Sequence, residues 1–249
     1  MLSSRRLVPE LMDDPGADPA ALSEALRFIR FVNRRLGGTN AALRYLKRWI
    51  RGRGPDEVIR LLDIGTGSAD IPRAIADWAI SAGRRVRITA VDLHPTTLAL
   101  AREHLGPRDD IELVEADARS LMDRYAPGDF DYVHAGMFLH HLPDIEVLTV
   151  LRIMDRLASR GLIWNDLIRG RLEMIGVRLL AATAPAMARH DAIASVNAGF
   201  TPRQALDYVR RVGWERPSCR RHLFGRFTVT SWKGRDKGRG TRDARRESR

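Results

Sequence analysis

Apolar positions near the start of the chain follow a helical period. Residues 1–19 are rich in proline and aspartate, and we expect them to lie irregularly on the surface. Between residues 19 and 36, apolar side chains recur three or four positions apart, and two glycines then end the predicted helix. A second helix is predicted from apolar residues that share one face, namely Leu43, Leu46 and Ile50. We expect residues 1–55 to form an N-terminal segment and helical cap.

The pattern changes after residue 55, where short runs of strand-forming residues alternate with helical segments. The predicted strands are Val58–Ile64, Val86–Leu93, Ile111–Glu115, Phe130–Ala135 and Gly161–Asn165. The predicted helices are Ile71–Ser81, Thr96–His104, Pro143–Leu157, Leu167–Ala184 and Pro202–Val212. This alternation predicts an α/β fold with a doubly wound, mostly parallel sheet. Residues 216–231 read as two further strands, which would add an antiparallel hairpin edge and give seven strands.

Composition and charge narrow the class of protein. The 249 residues are 44% apolar, which suits one domain, here residues 56–232, with the preceding cap. Cys219 is the single cysteine, so neither an internal disulfide nor a multi-cysteine zinc site is possible, and we predict no metal site. The start of the chain does not resemble a signal peptide, and no apolar stretch is long enough to cross a bilayer, so a cytoplasmic location is expected.

The net charge of +11 is concentrated at the C-terminal end. After Trp232 there are eight Lys/Arg and three Asp/Glu, which gives +5 for that segment. Residues 233–249 lack large apolar side chains and are expected to form a disordered basic tail. A solvated tail is the first interpretation, and weak attraction to RNA or to an anionic membrane surface is the alternative.

The segment Leu61–Asp70 carries the strongest motif. It follows an apolar strand and opens a helix, which is the setting of a nucleotide-binding turn, and its glycines allow a tight turn and close approach to a ligand. A dinucleotide-binding turn would need a third glycine at position 70, where this chain has Asp70. Because a carboxylate there would repel a pyrophosphate, a cationic ligand without phosphate fits better, and S-adenosylmethionine (SAM) is such a ligand.

Here the sequence resembles the class I SAM-dependent methyltransferases, whose first motif is Asp/Glu-x-Gly-x-Gly-x-Gly. Asp63, Gly65 and Gly67 match it, and Ala69 stands in the third glycine position. The resemblance covers roughly residues 58–166 and implies SAM as cofactor. It also implies contacts of Asp92 with the ribose hydroxyls, Asp117 with the adenine amino group, and Asp63 and His134 with the methionine part. The complete predicted cofactor set is Asp63, Gly65, Thr66, Gly67, Asp92, Leu93, Asp117, Ala118 and His134.

Candidates for acceptor chemistry follow the fourth strand and lie in an insertion, residues 167–201. The resemblance includes a His-His-Leu-Pro stretch like that of small-molecule and quinone-biosynthesis methyltransferases, so His140 or His141 could orient the acceptor or act as a base; either could instead only pack the next helix. His190, beside Asp191, is a third candidate base, although adjacent helical residues diverge. The predicted acceptor-binding residues are Asp166, Arg169 and Met174, and Asp166 could alternatively cap the following helix.

The phrases at residues 10–14 and 165–169 resemble bacterial methyltransferases acting on phenolic, polyketide or quinone-like products. The resemblance therefore implies methyl transfer to a hydroxyl, or to an activated carbon, of a small molecule. An RNA methyltransferase is one alternative, prompted by a pI near 10.9, but the His134-Ala-Gly-Met segment does not match the Asn/Asp-Pro-Pro motif of amino-group enzymes. A non-catalytic SAM-binding protein is the other alternative. We expect a monomer or homodimer with a small-molecule partner and no specific nucleic acid.

Overall fold

Seven strands form one mixed sheet in the computed structural model, which describes residues 4–233. The strands are β1 (Val58–Ile64), β2 (Arg85–Asp92), β3 (Ile111–Glu115), β4 (Phe130–Gly136), β5 (Ala158–Leu167), β6 (Ser218–His222) and β7 (Arg226–Trp232). Their order is β3-β2-β1-β4-β5-β7-β6, with β1 to β5 parallel and β7 antiparallel to both of its neighbours. The predicted fold class, a doubly wound sheet with an antiparallel C-terminal edge, is confirmed.

Residues 4–233 contain eight α-helices. They are α1 (Pro19–Arg35), α2 (Gly38–Ile50), α3 (Asp70–Ser81), α4 (Pro95–Leu105), α5 (Asp144–Leu157), α6 (Arg171–Ala181), α7 (Ala186–Ala198) and α8 (Pro202–Arg211). The apolar stripes of α2 and α3 pack against one face of the sheet, and those of α5 and α8 pack against the other. Because helices cover both faces of the sheet, the central strand β4 is almost wholly buried.

The region after β5 differs most from the sequence prediction. β5 continues to Leu167, so the helix predicted from that residue begins only at Arg171, after Gly170. The prediction also ran the helix on to Ala184 and missed α7, which begins after Pro185. Alanines on several sides of α7 are buried together with polar residues, so its sequence has no clear apolar stripe.

The two N-terminal helices cover different parts of the molecule. α2 packs into the core of the sheet, and α1 lies over its carboxyl edge.

The segment before α1 is irregular except for a 3-10 turn at Leu11–Asp13, as expected, but hydrogen bonds fix it to the rest of the molecule. We call residues 5–14 the N-terminal strap. Asp191 accepts hydrogen bonds from the backbone N–H groups of Leu11 and Met12 at 2.7 and 3.1 Å. The Arg5 guanidinium donates to three backbone carbonyl oxygens at 2.8–2.9 Å, those of His140, Leu142 and Ala198. These bonds hold the strap against α7 and the loop after β4.

Two further expectations concern the ends of the chain and the membrane. Residues 234–249, which make up nearly all of the predicted basic tail, lie outside the described residues. Within residues 4–233, no helix has the length and hydrophobicity needed to span a bilayer.

Candidate active site

A cavity of about 930 Å³ lies at the carboxyl edge of the parallel strands. All nine predicted cofactor-binding residues line it. Side chains of α1, α6 and α7 and the N-terminal strap form its other walls. Ligands of doubly wound proteins bind at this edge, because the loops that follow the strands converge there. One continuous space therefore contains both the predicted cofactor site and the predicted histidines.

The glycine loop between β1 and α3 has a conformation that its sequence makes possible. Gly65 and Gly67 both have positive φ, 69° and 55°. A Cβ at Gly65 would lie 2.4 Å from the ring of Phe138, so this position also requires glycine for space. The backbone N–H of Gly67 donates to Asp92 Oδ2 at 2.8 Å, and the N–H of His94 donates to Oδ1 at 3.1 Å. Asp92 thus connects the glycine loop to the end of β2, and burial raises the pKa of its carboxyl group.

Charged and polar groups meet at the inner end of the cavity, beside the glycine loop. His134 Nδ1 donates to Asp63 Oδ1 at 2.5 Å, and both side chains are buried. Asn33 of α1 donates to Asp70 Oδ2 at 3.0 Å, and burial raises the pKa of Asp70. The fully buried Arg226, at the start of β7, lies close enough to Asp70 for electrostatic attraction.

Several buried polar atoms at this end have no hydrogen-bond partner among the described residues. They are Asn33 Oδ1, Thr66 Oγ1, His134 Nε2, Asn165 Oδ1 and Arg226 Nη1. Leaving a buried donor or acceptor unpaired costs about 1–3 kcal/mol, so such a group of atoms indicates a polar ligand. Two carboxylates and one guanidinium are complementary to a group that carries both an ammonium and a carboxylate.

Asp117 and Ala118 line the cavity beyond the end of β3. Asp117 accepts a hydrogen bond from the backbone N–H of Arg119 at 2.8 Å and pairs with the Arg119 guanidinium at 2.5 Å. This guanidinium lowers the pKa of the Asp117 carboxyl group and also contacts Glu146 at 3.0 Å. Asp117 is therefore ionised and fixed in position, as an acceptor of hydrogen bonds from a ligand needs to be.

The two adjacent histidines after β4 converge on one carboxylate. His140 Nδ1 donates to Asp166 Oδ1 at 2.6 Å, and His141 Nδ1 donates to Asp13 Oδ2 at 2.7 Å. Their rings stack with centroids 4.3 Å apart. The Nε2 atoms lie 3.5 and 3.9 Å from the two oxygens of Glu10, which also accepts from Ser195 Oγ at 2.6 Å. The N-terminal strap thus supplies two of the carboxylates that surround the histidines.

These carboxylates decide the charge of the histidines. Burial alone would disfavour the charged imidazole, but Asp166 and Glu10 outweigh it and raise the pKa of His140 to about 10. The pKa of His141 is raised as well, despite burial and the charge of His140, by Glu10 and Asp13. Asp166 is also fully buried, and its pKa is nevertheless lowered by His140. His140 is therefore an imidazolium at neutral pH in this arrangement, which does not favour its predicted role as a proton acceptor.

The same three side chains could also hold a metal ion, although the sequence predicted no metal site. One ligand atom from each of Glu10, His140 and His141 lies within 4.8 Å of the others. Both imidazoles have Nδ1 bound to a carboxylate, which is the usual arrangement behind a metal-binding Nε2. The site is thus compatible either with two protonated histidines or with a divalent cation.

Four predicted residues lie elsewhere than expected. His190 bonds to Asp191 Oδ1 at 2.9 Å, but its side chain is 46% exposed and does not line the cavity, whereas Asp191 does. The predicted acceptor-binding residues Asp166, Arg169 and Met174 do not line the cavity either. Asp166 is completely buried behind His140, and Arg169 donates to the backbone oxygen of Gly199.

Among the lining residues that sequence reasoning missed are four charged or polar ones, Glu10, Asp13, Asn33 and Arg226. Glu10 and Asp13 stand in a segment whose composition suggests surface. Arg226 stands in a predicted strand, where a single arginine normally faces solvent. None of the four follows a motif, so the sequence contained no signal for them beyond the resemblance at residues 10–14.

The fold, the glycine loop and the acidic strand ends are those expected from the resemblance to class I SAM-dependent methyltransferases. Residues 61–161 match the family described as methyltransferase domain. This match covers about two fifths of the chain and agrees with the resemblance to SAM-dependent methyltransferases that the sequence implied.

Individual relatives agree with this class but cover only part of the chain. A ubiquinone biosynthesis O-methyltransferase of Thiobacillus denitrificans is 33% identical over 100 residues, which are 39% of this chain and 39% of the relative. A ribosomal protein L11 methyltransferase of Geotalea uraniireducens is 29% identical over 130 residues, which are 49% of this chain and 38% of the relative. The chain thus spans about two fifths of the length of these curated relatives.

A solved structure shows how far the fold extends. The structure of human N-acetylserotonin methyltransferase in complex with SAM is similar with a TM-score of 0.62 and 14% identity, over 92% of this chain and 61% of that chain. The likeness reaches well beyond the matched residues 61–161, and at this identity it concerns the fold alone.

Proposed function

We propose that this protein transfers a methyl group from SAM to an oxygen of a small apolar molecule with an ionisable hydroxyl group, such as a phenol or enol. An activated carbon of the same kind of molecule is the alternative position of attack. The observation that carries this proposal is one continuous cavity, which joins the glycine loop to the paired histidines. The name of the ubiquinone-biosynthesis relative supports a quinone-like or phenolic acceptor.

The inner end of the cavity fits the cofactor. Bound SAM would supply an electrophilic methyl group on its sulfonium. Asp92 and Asp117 would accept hydrogen bonds from its ribose and adenine, as the resemblance implies. Asp63 and Asp70 would face its ammonium, and Arg226, with an unpaired Nη1, would face its carboxylate. The unpaired buried atoms described above would then have partners.

The outer end of the cavity suits an apolar acceptor. Its walls carry apolar side chains from α1 and α6, including Phe28, Ile29, Val32, Leu172, Val177 and Leu180. Such walls exclude water and hold a flat molecule in one orientation, which is what an in-line displacement needs most. A hydroxyl group that approaches Glu10 and the histidines would meet the polar part of this otherwise apolar space.

The charge of the histidines suggests how the acceptor becomes reactive. An imidazolium that donates a hydrogen bond stabilises an ionised oxygen more than a neutral hydroxyl, so His140 would lower the pKa of a bound phenol. Asp166 holds the ring of His140 in place, and Glu10 lies 3.5 Å from the opposite nitrogen. In this proposal His140 favours the anionic acceptor by its charge, and the released proton passes to solvent.

The test is a turnover assay with SAM and a series of phenols of graded acidity. Formation of S-adenosylhomocysteine (SAH) and of a product one CH₂ unit heavier, followed by mass spectrometry, would support the proposal. His140→Gln should reduce turnover by roughly 10²–10³-fold, which is the effect of removing one hydrogen-bond donor from an oxyanion site. SAH binding, measured by calorimetry, should stay unchanged. His190→Gln is the matched control, because that histidine lies outside the cavity, and it should turn over normally.

Other outcomes would favour the alternatives. The small-molecule proposal would be replaced if every small acceptor were inert and the protein methylated RNA instead. The same holds for methylation of a ribosomal protein, the substrate in the name of the second relative. SAH binding without turnover on any acceptor would instead support a non-catalytic SAM-binding protein. NADH should not bind, because Asp70 occupies the place that a pyrophosphate would need.

A further inference from the structure

An exposed apolar surface lies at the mouth of the cavity. Only Ala181 of α6 is buried, and three large apolar residues of this helix are mostly in solvent: Leu172 at 80%, Ile175 at 57% and Leu179 at 74% exposure. They stand three and four positions apart, so they share one side of the helix. The turn between β6 and β7 adds Leu223 and Phe224, which are 81% and 64% exposed. We call these five residues the α6 face.

The two parts of the α6 face are neighbours. A Cβ at Gly225 would lie 2.8 Å from Glu173 Cγ, and Arg221 lies 3.6 Å from Glu173 Oε1, so the turn contacts the first turn of α6. Leu172 and Phe224 both line the cavity as well as facing solvent. The α6 face is therefore continuous with the inner wall of the site. Exposed apolar surface of this extent usually marks a binding surface.

The charges around the α6 face are positive. Arg171 and Arg178 are exposed on one flank of the helix, and Arg220 and Arg221 are exposed beside the turn. The one acidic residue of α6, Glu173, is paired with Arg221. A helix with apolar residues on one side and arginines beside them has the pattern of helices that lie in the surface of a membrane.

We propose that the α6 face docks on an anionic lipid bilayer. Its leucines and isoleucine would enter the boundary between headgroups and acyl chains, and the four arginines would lie at the lipid phosphates. A symmetric contact with a second copy would bring these arginines together, so the charges favour lipid as the occupant. Lipid binding itself is independent of methyl transfer. Docking would let an apolar acceptor pass directly from the bilayer past Leu172 into the cavity. This role of lipid binding rests on the proposed function.

The experiment measures co-sedimentation of the full chain with vesicles of phosphatidylcholine alone or mixed with phosphatidylglycerol. The test variant is Ile175→Ser/Leu179→Ser, because these two residues belong to the α6 face but do not line the cavity. The matched control is Ile80→Ser/Ile145→Ser, two exposed apolar residues of α3 and α5, at 66% and 68% exposure. SAH binding by each variant shows that its fold and cofactor site are intact.

We expect the wild-type chain and the control to bind the phosphatidylglycerol vesicles, and the test variant to bind about tenfold or more weakly, because two large apolar side chains no longer enter the lipid. The basic C-terminal segment is the same in all three proteins, so its attraction cancels. Equal binding by test and control variants would overturn the proposal. The proposal would also be overturned if light scattering showed the wild-type chain to be a dimer and the test variant to be a monomer. If the wild-type chain binds the vesicles but shows no turnover, the result counts against the proposed function and not against lipid binding.

Discussion

Replacement of Arg226 by methionine tests how the inner end of the cavity holds its ligand. Arg226 is fully buried, and its Nη1 has no hydrogen-bond partner among residues 4–233. A buried hydrogen bond to a charged group contributes about 1.5–3 kcal/mol. If Nη1 binds the carboxylate of the cofactor, the variant should bind SAH about 10- to 150-fold more weakly. Methionine has a similar length and leaves no large space in the core.

The assay compares two ligands by calorimetry. SAH carries the amino-acid group, whereas methylthioadenosine shares its adenine, ribose and sulfur but lacks that group. We expect Arg226→Met to lose affinity for SAH and to keep its affinity for methylthioadenosine. Arg226→Lys retains the positive charge on a shorter side chain. We expect this variant to lose an intermediate amount of affinity for SAH and none for methylthioadenosine.

Two results would refute this reasoning. If both ligands bind the variant equally weakly, Arg226 only supports the fold, through its attraction to Asp70 and Asp166. If SAH binds the variant as well as the wild type, the carboxylate is held by other groups. Failure of the wild-type chain to bind SAH would be a different result, because it would count against the cofactor itself.

The remaining predictions concern other parts of the molecule. Asp92→Asn should weaken SAH binding by about tenfold or more in calorimetry, because it removes a charged acceptor and weakens the bond to Gly67; wild-type affinity would contradict the ribose contact. The free energy of unfolding in urea should fall as pH rises toward 10, because the pKa of His140 is about 10 in the folded chain against an ordinary value of 6.5, so this stabilisation is complete below about 6.5 and lost above 10. His140→Gln should flatten that dependence, and an unchanged slope would show that the histidine is not charged. A chain that ends at Lys233 should keep its melting temperature and turnover, unless the basic segment is structural. EDTA should leave turnover unchanged; loss restored by Zn²⁺ would show that Glu10, His140 and His141 hold a metal.

The part of the site that follows motifs could be predicted from the sequence. Alternating strands and helices predicted the doubly wound, mostly parallel sheet, and β1 and β3 begin and end where the pattern placed them. Asp63, the glycines and Asp92 stand at strand ends, where topology alone brings them to one edge. A local pattern therefore sufficed for these residues, but not for Asn33 and Arg226, which reach the same end of the cavity from distant segments.

The acceptor end could not be predicted in this way, because it depends on contacts between distant segments. Glu10 reaches the histidines only because Arg5 and Asp191 hold the strap, and neither contact has a sequence signature. His190 and Asp191 do form a pair, but the aspartate is buried while the histidine is half exposed and does not line the cavity. The charge of His140 likewise depends on Asp166 and Glu10 meeting at one ring.

The N-terminal strap also has a consequence for the order in which the molecule assembles. The hydrogen bond between Gly67 and Asp92 joins positions 25 apart, whereas that between Ser195 and Glu10 joins positions 185 apart. Closure of a longer loop costs more chain entropy, and contacts between distant segments form later in folding. On the ribosome, the glycine loop can take its shape before α7 has emerged. The strap carboxylates that face the histidines are held in place only after α7 has been made.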